Sequence, residues 1–274
     1  MADRYFFWGT LILTLSLLTQ DFASAETIKF ESGARLPSPF QVRLAKNQGK
    51  PAPTGSPGIE VKAEFTKPKG DGPHPAIVIL HSCGGMLGHV SHDWPRFLNK
   101  LGYAVLAVDS FGSRGLGPCP NGLKLIAMIE DAFGALDFLA RQQSIDAKRI
   151  GVFGYSKGGI AVNEIAGTEH RISDIQFVAG ISFYGNCQPV LGVEHQLHMP
   201  VAVIYGEHDA EMESCKKLIS SSRLEVTVLR DAYHGFDIQE SSGGTTAQGT
   251  AMRYDAVATA KARAIAEAFL IENF

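Results

Sequence analysis

A serine flanked by glycines is the residue of this chain best suited to chemistry. The pentapeptide Gly154-Tyr155-Ser156-Lys157-Gly158 follows an apolar, β-like run at 150–153 and precedes a helix-like segment. A serine on a sharp strand-to-helix turn projects its Oγ clear of the sheet, and the flanking glycines remove side chains that would clash in so tight a turn. The context predicts that Ser156 is a nucleophile.

A serine hydroxyl is a poor nucleophile at neutral pH, so it needs a histidine base and usually a carboxylate that orients the histidine. Asp209 follows an apolar run at 201–205, and His234 follows another at 224–229. The order Ser, acid, His is the one expected with this turn motif, and the carboxyl ends of parallel strands meet at one edge of a sheet. We therefore expect Ser156, Asp209 and His234 to form a catalytic triad.

Neighbouring residues compete with this assignment. Glu207 and Glu211 are alternative acids, and His208 is an alternative base, although it stands beside the acid rather than one strand further on. Asp209 also precedes a predicted helix, where capping the helix is the structural alternative to catalysis.

Acyl transfer further requires N–H donors for the oxyanion, normally from the residue after the nucleophile and from the loop after the third strand. The corresponding residues are Lys157 and, in the loop from His81 to Gly85, Cys83. The backbone N–H groups of Lys157 and Cys83 are thus the predicted oxyanion hole. For His81 we favour a role in holding this loop by hydrogen bonds over a catalytic role.

The elements that must position these residues alternate along the chain. Apolar runs predict strands at 76–80, 104–108, 150–153, 177–183, 201–205 and 224–229, and helical patterns occur at 94–100, 123–141, after Ser156, after Ala210 and at about 253–270. Alternating polarity predicts a half-buried strand at 59–65, preceded by a surface loop at 46–58. This order indicates an α/β fold with a mostly parallel sheet and helices on both faces. The stretch Ser241 to Thr246 is predicted to be a mobile surface loop rather than a binding element.

The amino-terminal residues are typical of an export signal. Arg4 precedes an apolar stretch from Tyr5 to Thr19, and Ala23-Ser24-Ala25 is a small-x-small cleavage site. The apolar stretch is shorter than the roughly 18 to 20 residues that span a bilayer, although a retained anchor is the alternative. We predict a signal peptide at 1–25, a single domain at 26–274, and a periplasmic or secreted protein without membrane association after cleavage.

The bulk charge argues for a small-molecule partner. The formal net charge is −3 and 19% of residues are charged, so there is no basic field to attract nucleic acid or an anionic membrane surface. Composition leaves the oligomeric state open.

Four cysteines in an exported chain permit disulfides. Cys187 follows one predicted strand and Cys215 lies in the helix predicted after the next, so a Cys187–Cys215 disulfide is our first expectation. Cys83 and Cys119 either pair, since both follow predicted strands, or leave Cys83 free beside the active site.

We predict no metal site. The cysteines lack C-x-x-C spacing, and the histidine pairs His89/His92 and His195/His198 lack a convergent third ligand.

From about Ile59 onward the chain resembles the dienelactone hydrolase family of the α/β-hydrolase superfamily. The resemblance rests on the segment from His81 to Gly85, the segment from Asp146 to Ser156, Gly206-Glu207-His208-Asp209 and Tyr233-His234-Gly235-Phe236. It implies a Ser or Cys nucleophile with an Asp and a His, acting on small esters or lactones without a cofactor.

The chain departs from the dienelactone hydrolases proper at two positions. Those enzymes use a cysteine in the elbow and a glutamate in the oxyanion loop, where this chain has Ser156 and Ser82. A glutamate that controls a thiolate is unnecessary beside a serine, so the two changes are consistent, and they argue against dienelactone itself as substrate. Arg114 resembles the family arginine that holds a substrate carboxylate, with a surface ion pair as the alternative.

Together these residues predict a serine hydrolase that cleaves small carboxylic esters or lactones through an acyl-enzyme. The alternatives are a non-catalytic small-molecule binding protein on the same scaffold, because fold does not determine function, and a serine acyltransferase or peptidase with the same triad.

Overall fold

The computed structural model describes residues 25–34, 39–120, 123–167, 175–194, 196–218, 220–240 and 242–274. The predicted signal peptide and His195 lie outside these residues, apart from Ala25 at the predicted cleavage site. Among the described helices, none has both the length and the apolar character that crossing a membrane requires.

In the residues that the structure describes, eight strands and five α-helices largely alternate. The strands are β1 (Glu26–Glu31), β2 (Glu60–Thr66), β3 (His74–Leu80), β4 (Ala104–Asp109), β5 (Ile145–Tyr155), β6 (Gly180–Phe183), β7 (Val201–Gly206) and β8 (Leu224–Leu229). The helices are α1 (Pro39–Asn47), α2 (Trp94–Lys100), α3 (Leu125–Ala140), α4 (Lys157–Gly167) and α5 (Ala256–Asn273).

The strands form one sheet in the order β1-β2-β4-β3-β5-β6-β7-β8. β2 pairs antiparallel with β1 and β4, and all pairs from β4 to β8 are parallel. β3 and β5 lie at the centre, and their apolar residues are buried on both faces, as a sheet covered by helices requires. Since the parallel strands share one direction, the loops that follow β3, β5, β7 and β8 emerge at one edge.

The predicted strands from 59–65 to 224–229 are all present, with ends that differ by a few residues for most of them. The central strands were identified by their apolar runs because both of their faces are buried, whereas β2 was identified by its alternating polarity. Helices α2, α3, α4 and α5 also correspond to the predicted helical patterns.

One strand was not predicted, and two local predictions are wrong. Residues 26–31 form the antiparallel edge strand β1, in which only Phe30 is buried, so its alternating pattern is weak. Residues 39–47 form α1, which ends two residues inside the predicted loop. The segment after Ala210 forms two short 3₁₀ helices, Ala210–Met212 and Cys215–Lys217, in place of an α-helix.

Candidate active site

Ser156 stands between the end of β5 and the start of α4, with a left-handed backbone φ of 50°. A non-glycine residue in this region is strained, and such strain is concentrated at functional sites. The two glycines of the pentapeptide are required because a side chain at either position would clash with nearby backbone. A Cβ on Gly154 would lie 2.1 Å from the Gly158 carbonyl oxygen, and one on Gly158 would lie 2.2 Å from the Leu80 carbonyl oxygen.

The Ser156, His234 and Asp209 side chains form a hydrogen-bonded chain. His234 Nδ1 lies 2.7 Å from Asp209 Oδ2, and His234 Nε2 lies 3.1 Å from Ser156 Oγ. A carboxylate only accepts, so Nδ1 carries the proton and donates to Asp209, which leaves Nε2 to accept from the serine hydroxyl. Asp209 and His234 are 1% and 2% exposed, so water competes little for these bonds.

Asp209 both caps a helix and binds the histidine of the predicted triad, the two roles that the sequence left as alternatives. Its Oδ1 accepts from the Glu211 N–H at 3.1 Å and caps the short 3₁₀ helix, while its Oδ2 accepts from His234. The competing residues have other surroundings: Glu207 and His208 are exposed, and the Glu211 carboxylate accepts from Thr246. The cap fixes the carboxylate in the orientation that the imidazole needs.

A buried polar group behind His234 escaped the sequence analysis. The Tyr184 ring lies 4.8 Å from the His234 ring, and its hydroxyl donates to Asp237 Oδ1 at 2.6 Å. Trp94 Nε1 donates to Asp237 Oδ2 at 2.7 Å. Burial and the charge of Asp237 hold the Tyr184 pKa well above its ordinary value, so the hydroxyl stays a donor. The only sequence clue was an acid, Asp237, between the apolar residues Phe236 and Ile238.

The two predicted oxyanion donors both line the same cavity as Ser156. Lys157 is the first residue of α4, where a backbone N–H has no partner within the helix. Cys83 lies in the loop after β3. His81 Nδ1 donates to the Ser82 carbonyl at 2.7 Å, and burial lowers the His81 pKa, so a neutral imidazole holds this loop. The favoured, structural role of His81 fits these contacts.

Both cysteine pairs form disulfides. The predicted Cys187–Cys215 bridge is present with a Cα–Cα distance of 4.9 Å, and Cys83–Cys119 is bridged at 4.6 Å, so Cys83 is not free. Two disulfides indicate an oxidising compartment. They differ in position: Cys187 and Cys215 are buried, whereas Cys83 and the exposed Cys119 line the cavity.

The cavity beside Ser156 has a volume of about 440 Å³, the size of a small-molecule site. Apolar side chains form much of its wall, from Leu87, Ile160, Ile238 and Met252. Residues 245–248 also line it, so the stretch predicted to be a surface loop contributes Thr245 and Thr246 to the cavity wall. Nothing local identified this loop, because its polar, glycine-rich composition is typical of any surface loop.

The structure does not bring Arg114 to this cavity. Its guanidinium donates through Nη1 and Nη2 to the two carboxylate oxygens of Asp131, both at 2.8 Å, and also to the Ser110 carbonyl at 2.7 Å. The ion pair that was the alternative to a substrate clamp is therefore present, but it is buried on the Asp131 side rather than at the surface. Burial raises the pKa of Asp131, and the bonds from Arg114 oppose that shift.

One group of potential metal ligands occurs in the described part of the chain. Ligand atoms of Glu207, His208 and Asp231 lie within 4.8 Å of one another, and all three residues are exposed. None of them lines the cavity beside Ser156.

A mostly parallel eight-stranded sheet with a strained serine at the β5–α4 turn defines an α/β hydrolase fold. The dienelactone hydrolase family model matches residues 61–272. The chain belongs to this family.

Three individual proteins with sequence or structural similarity to the chain have low sequence identity to it. The chain is 31% identical to the putative hydrolase YtaP of Bacillus subtilis over 134 residues, which are 40% of this chain and 45% of YtaP, so the match spans less than half of that relative. A dienelactone hydrolase-like promiscuous phosphotriesterase from metagenomic libraries superposes with a TM-score of 0.67 at 21% identity, over 91% of this chain and 99% of the other. Esterase 2 of Thermogutta terrifontis, phosphorylated by paraoxon, superposes with a TM-score of 0.58 at 20% identity, over 78% of this chain and 89% of the other. At such identities the two structures establish a shared fold.

Proposed function

We propose that this protein is a serine hydrolase that cleaves small carboxylic esters or lactones through an acyl-enzyme on Ser156. The observation that carries the proposal is the chain of hydrogen bonds from Asp209 through His234 to Ser156, at 2.7 and 3.1 Å, beside a cavity of about 440 Å³. Family membership supports the same class of reaction.

In this mechanism His234 Nε2 takes the Ser156 hydroxyl proton while Oγ attacks the substrate carbonyl carbon. The carbonyl oxygen becomes an oxyanion, which the N–H groups of Cys83 and Lys157 stabilise. His234 then returns the proton to the leaving alcohol, and the acyl group stays on Ser156. Water, deprotonated by His234, attacks the acyl carbon, releases the acid and restores the serine.

Asp209 stabilises the imidazolium that forms at each proton transfer and keeps the proton on Nδ1. Its burial strengthens this interaction because little solvent screens it. The Tyr184 ring packs against the imidazole as well, so His234 is held before substrate arrives.

Labelling with a fluorophosphonate, read by intact mass, tests the nucleophile. Esterase 2 of Thermogutta terrifontis, which shares this fold, is phosphorylated by paraoxon, and this supports the use of a phosphorus-based probe. We expect one label per chain in the protein and none in Ser156→Ala, whose folding is checked by circular dichroism. Ser91→Ala is the matched control, because the Ser91 hydroxyl also contacts a histidine, His92 Nδ1 at 2.7 Å, but lies outside the cavity lining.

Labelling retained in Ser156→Ala would remove Ser156 from the mechanism. A folded protein that takes no label would favour the binding-protein alternative, and turnover of a peptide amide but not of an ester would favour a peptidase.

A further inference from the structure

We propose that Glu211 is a specificity-determining residue that restricts this site to uncharged esters and lactones and rejects substrates that carry a carboxylate. The inference rests on the proposed function and adds a substrate class to it. It follows from which charges line the cavity beside Ser156 and from how each charge is already bonded.

Glu211 is held in the cavity wall at three points. Its backbone N–H donates to Asp209 Oδ1 at 3.1 Å, and its carbonyl accepts from Asn186 Nδ2 at 3.2 Å. Its side-chain Oε1 accepts from Thr246 Oγ1 at 2.5 Å, in a loop that also lines the cavity. A carboxylate fixed in this way stays beside the substrate instead of turning into solvent.

Little positive charge is available to offset Glu211. Besides Glu211, the titratable side chains among the described lining residues are Lys157 and His234. His234 is engaged with Asp209 and Ser156. Lys157 Nζ donates to the Leu123 carbonyl at 3.0 Å and lies 5.5 Å from the centre of the Phe111 ring, and partial burial lowers its pKa.

The arginine expected to bind a substrate carboxylate is also occupied elsewhere. Arg114 is paired through both Nη atoms with Asp131 and is absent from the cavity lining. A substrate carboxylate in this cavity would therefore give up its water and face Glu211, and the one lysine among the described lining residues is already bonded to the Leu123 carbonyl. An uncharged substrate meets the apolar wall of Leu87, Ile160, Ile238 and Met252 and avoids both costs.

The experiment compares matched substrates in the wild type and in Glu211→Gln. One pair places the charge on the leaving side, phenyl acetate against 4-acetoxybenzoate, and the other places it on the acyl side, phenyl hexanoate against monophenyl adipate. The readout is the ratio of kcat/KM for the charged ester to that for the neutral ester. Comparing this ratio between the two proteins cancels the intrinsic reactivity of each ester.

We expect Glu211→Gln to raise the ratio about tenfold for at least one pair, the size expected for removing a like charge across a partly solvated cavity. Glutamine keeps an oxygen that accepts from Thr246, so the loop stays attached. Thr246→Val is the matched control, because it removes that bond but leaves the charge, and its ratio should stay near that of the wild type.

An unchanged ratio in Glu211→Gln for both pairs would overturn the inference. An equal rise in Thr246→Val would also overturn it, because loop release rather than charge would then set the preference. If Lys157→Met abolishes turnover of the charged esters, Lys157 binds the carboxylate and the inference is wrong. Failure of the proposed function is distinct: neither protein would hydrolyse phenyl acetate or take the fluorophosphonate label.

Discussion

Removing the Cys83–Cys119 disulfide should reduce catalysis, whereas removing Cys187–Cys215 should reduce stability alone. The first bridge joins the proposed oxyanion loop to the segment after β4, and both of its cysteines line the cavity. The Cys119 N–H also donates to the Cys83 carbonyl at 2.6 Å, so the two segments are tied at backbone and side chain. Without the bridge, the Cys83 N–H is less firmly held where the oxyanion forms.

The two bridges form a matched pair in thermodynamic terms. They close loops with sequence separations of 36 and 28 residues. The chain-entropy relation gives about 3.8 kcal/mol for Cys83–Cys119 and about 3.6 kcal/mol for Cys187–Cys215, a difference too small to separate the variants. Any selective effect on turnover therefore comes from where the bridge lies and not from how much it stabilises the fold.

The variants are Cys83→Ala/Cys119→Ala and Cys187→Ala/Cys215→Ala. Urea unfolding should show a comparable loss of unfolding free energy in both. Steady-state hydrolysis of 4-nitrophenyl acetate, measured well below each unfolding midpoint, should show kcat lowered roughly ten- to a hundredfold in the first variant only. This range lies below the loss of about a hundred- to a thousandfold for deleting an oxyanion donor outright, since the N–H is still present.

A mild reductant gives an independent measurement on the unaltered protein. Cys119 is exposed whereas Cys187 and Cys215 are buried, so dithiothreitol should open the cavity bridge first, with activity falling before the unfolding midpoint shifts fully. Unchanged kcat in the Cys83/Cys119 variant, or an equal fall in both variants, would refute the proposed role of the loop.

Two further predictions concern the buried histidines. Asp209→Asn should lower kcat by about 10⁴ because the imidazole loses its orienting acceptor, while asparagine still caps the 3₁₀ helix. Glu207→Gln alters an exposed carboxylate two residues earlier and should leave kcat unchanged. Equal kcat values in the two variants would contradict the triad. Burial lowers the His89 pKa below its ordinary 6.5, so as the pH falls through 6.5 the unfolded chain takes up a proton before the folded one and stability is lost. Urea unfolding at pH 7.5 and 5.5 should therefore show a smaller loss in His89→Leu than in the wild type, and identical losses would show that His89 does not contribute.

Local pattern was sufficient for the central elements of the fold. Strands β3, β4, β6 and β7 and the second half of β5 are short apolar runs, because both faces of a helix-covered sheet exclude water there. The Gly-x-Ser-x-Gly turn could be recognised because the need for glycine at a tight turn is set largely by nearby backbone atoms. Ser156, Asp209 and His234 could be predicted to meet because each follows a parallel strand that ends at the same edge of the sheet.

Weak or absent periodicity hid the remaining elements. β1 buries a single side chain, and the residues after Ala210 carry a helix-like composition but are restrained by the Cys187–Cys215 bridge and the Asp209 cap into 3₁₀ turns. In such segments tertiary contacts outweigh local propensity.

The sequence by itself determined the strand order along the chain, the strained serine turn and which residue types stand at the carboxyl edge. Only the tertiary structure decided which side chains meet: Arg114 pairs with Asp131 on α3, residues 245–248 line the cavity, and Glu211 bonds to Thr246. The physical reason is the separation along the chain over which each interaction acts. Backbone sterics and hydrophobic periodicity act between near neighbours, whereas the partner of a long polar side chain is set by segments that folding brings together from distant parts of the chain.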